Sequence, residues 1–371
     1  MNVPKLRFKE FNDEWIETKI QNVATVIGGG TPSTDEPKYW GNEINWFTPS
    51  EIGKTKYVTI SNRKISQDGL KNSSAKLLPK GTILLSSRAT VGEASILLNE
   101  ASTNQGFQSL IVNENNCNEF IYYLKYKYKR EMLIKSFGST FLEISKSNVE
   151  NIKIKIPSKE EQFVIANFLS LLDKKIELQS KKIEDLKLFT KNTISNELNN
   201  LQNYNIFKFK DICNIQTGKS NTQDKCDDGI YPFYIRSENI ERSNNYVFDC
   251  EAVLTIGDGN IGKVFFYENG KFDCHQRVYV LNNFKNVLGK YVYYYFSSFF
   301  YKRAMSMSAK NTVDSVRMEM ISDMIIKVPQ EKEQIKMISL FSSLDKKLGL
   351  EQNKLDKLQE LKKGLMQSMF V

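Results

Sequence analysis

Two polar stretches of the chain hold side chains suited to reading a nucleic acid. The first gathers Ser86, Ser87, Arg88 and Thr90 after an apolar run, with Asn104 and Gln105 further on. The second offers Arg236, Ser237, Asp258, Asn260, His275, Gln276 and Arg277. Arg, Asn and Gln can grip a base edge with two hydrogen bonds, whereas Lys, Ser and Thr suit phosphate oxygens. Apart from Asp258, they form the candidate DNA-contact set together with Ser50, Ser139 and Thr140 in the first half and Lys310 and Thr312 in the second. A net charge of +9 favours an anionic partner, nucleic acid before membrane. Most of that excess lies in residues 1–157, and no basic tail exists, so binding must come from folded surfaces.

Little else in the chain could do chemistry. Gly257-Asp258-Gly259-Asn260-Ile261-Gly262 has the spacing of a dinucleotide loop, but that reading needs a helix to follow. Lys263-Val264-Phe265-Phe266-Tyr267 follows instead, a strand pattern, so a strand–loop–strand turn is expected. Gly28-Gly29-Gly30 reads as a flexible turn. Walker A, HExxH and GxSxG sequences are absent, as is the Asn- or Asp-Pro-Pro-aromatic tetrapeptide of amino-methyltransferases. The one histidine, His275, adjoins Cys274 with nothing nearby at ligand spacing. The five cysteines form no CxxC pair, and their odd count speaks against a disulfide framework. We therefore expect no catalytic residue, no metal and no cofactor in this chain. The first residues lack the apolar run of a signal peptide, and the greasiest stretch, 291–301, is too short to span a bilayer. A soluble, cytoplasmic protein is expected.

These residues sit in a sequence that repeats itself. Lys155-Ile156-Pro157 recurs as Lys327-Val328-Pro329, Glu161-Gln162 as Glu333-Gln334, and Leu172-Asp173-Lys174-Lys175 as Leu344-Asp345-Lys346-Lys347, without a gap. Upstream the match continues with small shifts: Thr140 over Thr312, 81–85 over 252–255, Gly92 over Gly262, Asn104-Gln105 over His275-Gln276, Ser50 over Ser237 and Gly29 over Gly218. The ends agree better than the loops, as expected of one scaffold carrying two readout surfaces.

Each repeat opens with a mixed region of strand-like runs, such as 82–85, 95–98, 110–112 and 152–156, around an aromatic helix at 120–137 or 291–307 that packs the core. Each closes with a long helix. Pro157-Ser158 and Pro329-Gln330 open these helices, and Glu160 and Glu161 favour the first turn of the first. Apolar residues recur at Ile165, Phe168, Leu172, Ile176, Ile183 and Leu186, then at Ile338, Phe341, Leu344, Leu348, Leu355 and Leu358, with Gln179 and Glu351 as polar breaks. A helix with one apolar stripe needs a partner, so the two seams are expected to pack together. Parallel packing would leave the second mixed region spanning about 60 Å between its ends. Antiparallel packing makes those ends neighbours and puts the mixed regions at opposite ends of a rod. The expected fold is α+β: recognition domain 1 at 1–157, spacer helix 1 at 158–198, recognition domain 2 at 199–329 and spacer helix 2 at 330–371, the helices forming an antiparallel coiled coil.

The whole resembles the specificity subunit of type I restriction–modification systems. The resemblance rests on Gly29-Gly30-Thr31-Pro32-Ser33, Trp46-Phe47-Thr48-Pro49-Ser50, Gly81-Thr82-Ile83-Leu84-Leu85-Ser86, Gly138-Ser139-Thr140 and Ile154-Lys155-Ile156-Pro157-Ser158-Lys159-Glu160-Glu161-Gln162, with Val3-Pro4-Lys5-Leu6-Arg7-Phe8 and Trp15 at the start. In the second copy Lys310-Asn311-Thr312 replaces Gly-Ser-Thr, and Arg236 replaces Pro49. The resemblance implies two target-recognition domains on double-stranded DNA, each reading half of a split site, with paired helices as spacer. It also implies two modification subunits that use S-adenosylmethionine to methylate adenine, and motor–nuclease subunits that use ATP and magnesium, all cofactors lying on the partners. The competing readings are a recognition subunit of a related enzyme cutting both sides of its site, a coiled-coil scaffold binding only proteins, and a self-contained methyltransferase.

Overall fold

A computed structural model describes residues 3–136, 142–307 and 315–371. Its contacts divide into two compact units, Met1–Leu178 with Leu355–Val371, and Gln179–Lys354. The division falls within each long helix, so each unit holds part of both.

In the first unit a five-stranded sheet runs in the order Ala24–Gly28, Gln108–Val112, Ile83–Leu85, Ala94–Leu97 and Tyr57–Val58. A three-stranded sheet places Trp40–Phe47 between Arg63–Ile65 and Ser102–Thr103. Ile16–Lys19 pairs antiparallel with Lys153–Ile156, returning the chain to the start of the first long helix. The second unit repeats this plan with one six-stranded sheet: Asn214–Thr217, Val278–Asn282, Phe248–Ile256, Phe265–Cys274, Tyr231–Tyr234 and Ile240–Ser243. One parallel step aligns the copies. Phe47 pairs with Thr103 in the first, and Tyr234 with Cys274 in the second. The long strand Phe265–Cys274 thus does the work that Ala94–Leu97 and Ser102–Thr103 share in the first copy.

The aromatic helices, Asn118–Ile134 and Gly289–Ser306, lie in the cores as expected. Each ties its unit to a long helix by the same two devices. The Tyr123 hydroxyl donates to Asp173 at 2.6 Å, and the Tyr294 hydroxyl donates to Asp345 at 2.6 Å. Burial and the facing carboxylate hold both phenols protonated, raising their pKa well above the usual range. Buried Gln162 accepts from the Cys117 amide at 2.9 Å and donates to the Pro157 carbonyl at 3.1 Å; Gln334 does the same with Leu288 and Pro329, both at 2.9 Å. These contacts account for the Glu-Gln and Leu-Asp-Lys-Lys repeats: a buried glutamine and a more exposed aspartate on each long helix fix it to the aromatic helix of its unit.

The long helices are Lys159–Asn199 and Glu331–Ser368. The Ser158 hydroxyl accepts from the Glu161 amide at 3.3 Å, capping the first. Within the first unit Asp173 meets Lys362, while Leu169 shares a core cluster with Met366 and Phe370. Within the second, Gln179 Nε2 donates to the Glu351 carboxylate at 2.7 Å, while Leu198 shares a cluster with Met337 and Phe341. Rising numbers on one helix meet falling numbers on the other, so the pair is antiparallel. The polar breaks Gln179 and Glu351 are therefore partners, joined by Lys182. Two seam positions differ from expectation: in the second helix Met337 is buried and Ile338 only partly so, and in the first the change falls at Phe168. Leu169 is fully buried and Phe168 is 38% exposed, because Phe168 turns to pack edge-on against Phe8. The seam steps 165, 169, 172, 176, 179, 183, 186, an alternation of four and three.

Candidate nucleic-acid interface

The site of the first unit is built on glycines and turns at the ends of its strands. Gly30 N–H donates to the Thr103 carbonyl at 2.9 Å, and Asn104 N–H to the Phe47 carbonyl at 3.1 Å. Ser87 N–H donates to the Gly106 carbonyl at 2.8 Å, and Ile144 N–H to the Ser87 carbonyl at 3.1 Å. Asn104 Oδ1 accepts from the Gly106 amide at 2.9 Å, closing a side-chain turn. A Cβ on Gly106 would lie 2.8 Å from Pro49 Cγ, so the 48–51 turn sits directly on the 104–106 turn. These bonds bring together Thr31, Ser50, Arg88, Thr90, Asn104 and Gln105. Gln105 accepts from the Thr31 hydroxyl, the Ser50 hydroxyl lies 3.1 Å from that of Thr48, and Arg88 Nε meets the Glu143 carboxylate at 2.8 Å.

The second unit rebuilds the same frame from other residues. His275 N–H donates to the Tyr234 carbonyl at 2.9 Å, Gly257 N–H to the Arg277 carbonyl at 2.7 Å, and Val316 N–H to the Gly257 carbonyl at 2.7 Å. His275 Nδ1 accepts from the Arg277 amide at 3.0 Å, the bond that Asn104 makes to Gly106. Gln276 Nε2 donates to Asn221 Oδ1 at 2.9 Å, where Gln105 accepts from Thr31. Arg236 Nη1 approaches the Asp258 carboxylate at 3.3 Å. Arg277, Gln276 and Asn260 are exposed, and the Ser237 hydroxyl accepts from the Asn239 amide at 3.2 Å. Burial, together with nearby Arg236 and Arg277, lowers the His275 pKa and keeps its imidazole neutral, as the accepting Nδ1 requires.

The glycine-rich segment is the expected strand–loop–strand turn. Gly259 has φ +77° and Gly262 φ +66°; Gly92 has φ +82°, and Ala89 takes a left-handed φ of +58° without a glycine's freedom. The Gly218 Cβ direction runs into the Cys274 carbonyl at 2.1 Å, as that of Gly29 runs into the Asn104 carbonyl at 2.0 Å, so both glycines permit a close strand approach rather than a flexible turn.

Three candidates are corrected. Ser86 and Ser87 are fully buried, not surface contacts. Their strand passes under the turn, and Ser86 bonds back to Thr90. His275 is only 5% exposed, its ring spent on the turn that presents Gln276 and Arg277. Ser139, Thr140, Lys310 and Thr312 lie outside the described residues. Sequence reasoning missed Thr31, Asn221 and Glu143, which hold or face the exposed candidates; the first two follow closely on Gly29 and Gly218, the aligned glycines of the two copies, which was the available signal. Among the described residues no group of three or more His, Cys, Asp or Glu could hold a metal ion, and no helix is long and apolar enough to cross a membrane. The five cysteines are free thiols.

A family model described as the type I restriction modification DNA specificity domain matches twice, over residues 12–188 and 202–360. The chain is 42% identical over 178 residues to the type I restriction enzyme MjaIX specificity subunit of Methanocaldococcus jannaschii, covering 47% of this chain and 41% of that protein. It is 27% identical over 197 residues to the EcoR124I/EcoR124II specificity subunit of Escherichia coli, covering 48% of each. These matches span about half the length of the curated relatives. The fold is similar to the crystal structure of the type I restriction–modification system S subunit from M. genitalium, with TM-score 0.64 at 17% identity over 100% of this chain and 99% of that one. A second structure, from work on complex assembly and conformational transition of the type I R-M system, gives TM-score 0.63 at 14% identity over 97% and 98%. With both copies of its mixed region and most of both long helices inside the matched segments, this chain belongs to the type I restriction–modification DNA specificity family.

Proposed function

We propose that the chain is the DNA-sequence specificity subunit of a type I restriction–modification complex. Each recognition domain reads one half of a split target in double-stranded DNA. The chain directs modification subunits to methylate adenine and motor–nuclease subunits to cut. S-adenosylmethionine, ATP and magnesium are used by those partners, and this chain performs binding alone, in the cytoplasm. The observation that carries the reading is the matched pair of loop clusters. The same backbone hydrogen bonds are kept in both copies, while the exposed side chains they present differ: Arg88, Thr90 and Gln105 in one, Arg236, Asn260, Gln276 and Arg277 in the other. A frame held constant under changed polar side chains is what two base-reading surfaces of different sequence need.

The test exchanges residues 206–328 for the matching region of a relative and maps methylated adenines across the genome of cells making the full complex. One half of the methylated motif should change and the other stay. Change in both halves, or methylation by the purified chain without partners, would refute the proposal.

A further inference from the structure

Both loop clusters carry an ion pair across the candidate reading surface, and the two pairs are assembled in opposite senses. Arg88 and Asp258 hold the same structural position: each forms a bridge with the returning strand segment, Arg88 with Glu143 and Asp258 with Ser315. The residue before each accepts the next amide on that segment, Ser87 from Ile144 and Gly257 from Val316. In the first copy the turn supplies the cation and the returning segment the anion, Arg88 to Glu143 at 2.8 Å. In the second the turn supplies the anion, and the cation arrives from the loop after Tyr231–Tyr234, Arg236 to Asp258 at 3.3 Å. The charge at the shared turn position has reversed, and its partner comes from a different element, while the pairing has persisted.

Neither pair explains stability. Arg88 and Glu143 are each 44% exposed, Arg236 and Asp258 50% and 24%, and exposed ion pairs contribute little to folding. Their place on a surface meant for DNA gives them another effect. A phosphate approaching Arg88 or Arg236 meets a carboxylate at the same point, so the long-range attraction nearly cancels. A base edge offering two aligned acceptors can still displace an exposed carboxylate from a guanidinium at close range. Resting on the proposed function above, we infer that Glu143 and Asp258 are specificity-determining residues that mask Arg88 and Arg236 from random DNA phosphates and release them at the correct bases.

The experiment uses the full chain with its modification partner and random-sequence duplex DNA, measuring affinity across a salt series and sequencing the bound fraction. Glu143→Gln should bind random DNA about threefold to tenfold more tightly at low salt, with a salt dependence steeper by about one phosphate contact. The motif enriched by this variant should lose definition in one half only. Asp258→Asn should do the same to the other half, and adding Arg88→Ala to Glu143→Gln should abolish the gain. If wild type enriches a two-part motif and Glu143→Gln binds random DNA no better, the masking inference falls alone. A sharp loss of cognate binding with unchanged random binding also overturns it, since the carboxylate would then be reading a base itself. If wild type enriches no motif, the specificity reading falls and takes the inference with it.

Discussion

Asn104 and His275 show how a side chain can be replaced by an unlike one without loss of its bond. Each accepts from the amide two residues ahead, through Oδ1 in one case and Nδ1 in the other. The histidine brings a liability, because protonated Nδ1 becomes a donor facing a donor. Its lowered pKa means the neutral ring is preferred in the folded state, so its contribution is whole above the ordinary value of about 6.5 and drains away as pH falls through the lowered one. Since the chain has a single histidine, unfolding stability followed between neutral pH and the onset of carboxylate titration should decline in wild type and much less in His275→Asn, which restores the acceptor of the other copy. An equal decline in both would show that His275 is not the group responsible. Arg277 has no ion-pair partner among the described residues and stands exposed at the end of that turn. Arg277→Ala should cost about 1–3 kcal/mol of cognate binding and relax one motif position if it grips a base, or weaken all sequences alike if it holds a phosphate; quantitative band shifts on cognate and scrambled duplexes separate the two. The sequence made polar residue types legible here, and depth illegible. Ser86 and Ser87 have the composition of a loop, but the strand Ile83–Leu85 carries its direction on into them, so they are buried beside Gly106 and Phe107.

At the scale of elements, Gln162 and Gln334 deserve more weight than their number suggests, since each joins an aromatic helix to the start of a long one. Gln162→Leu keeps the volume and removes three bonds, leaving the Cys117 amide, the Pro157 carbonyl and Asn116 Oδ1 without this partner. An unmet buried group costs about 1–3 kcal/mol. We expect urea midpoints to fall for Gln162→Leu and for Gln334→Leu, with hydrogen-exchange protection lost first in the aromatic helix of the unit carrying the change. An unaltered midpoint would mean water replaces the amide. The helices, their proline starts and their antiparallel sense could be read from periodicity and loop length. The seam's course past residue 168 could not, because steps of three and four from Ile165 both meet an apolar residue, and only Phe8, far away in sequence, decides which one faces out. The split of one strand into two in the first copy was likewise hidden, since the run at 95–98 carries no sign that its counterpart in the second copy, Phe265–Cys274, continues as a single strand.

Across the whole molecule the duplication was the most legible feature, yet the two copies are not equally sheltered. Glu161 is buried under Arg7, which meets it with two hydrogen bonds of 2.8 and 2.7 Å, and under Trp15; its repeat partner Glu333 lies exposed. Trp15 in turn packs on Phe120 and Phe370, and the Leu6 amide donates to the Ser368 carbonyl at 3.0 Å. Removing residues 366–371 should therefore unfold the first unit preferentially. Met366, Met369 and Phe370 are buried in its core, and losing a large buried side chain costs about 2–5 kcal/mol. Hydrogen exchange should report lost protection around Trp15 and Phe120 while the Phe248–Ile256 strand stays protected; uniform loss in both units would contradict this. The same arrangement has a mechanical meaning. Residues 6 and 15 are clasped to residues 368 and 370, so tension applied to the polypeptide outside these residues is carried first by the Leu6–Ser368 bond and the Trp15–Phe370 contact. The polypeptide between them, the entire second unit included, is short-circuited and bears no load until that clasp opens. Pulled in this way, the protein should yield at its clasp before either sheet is strained.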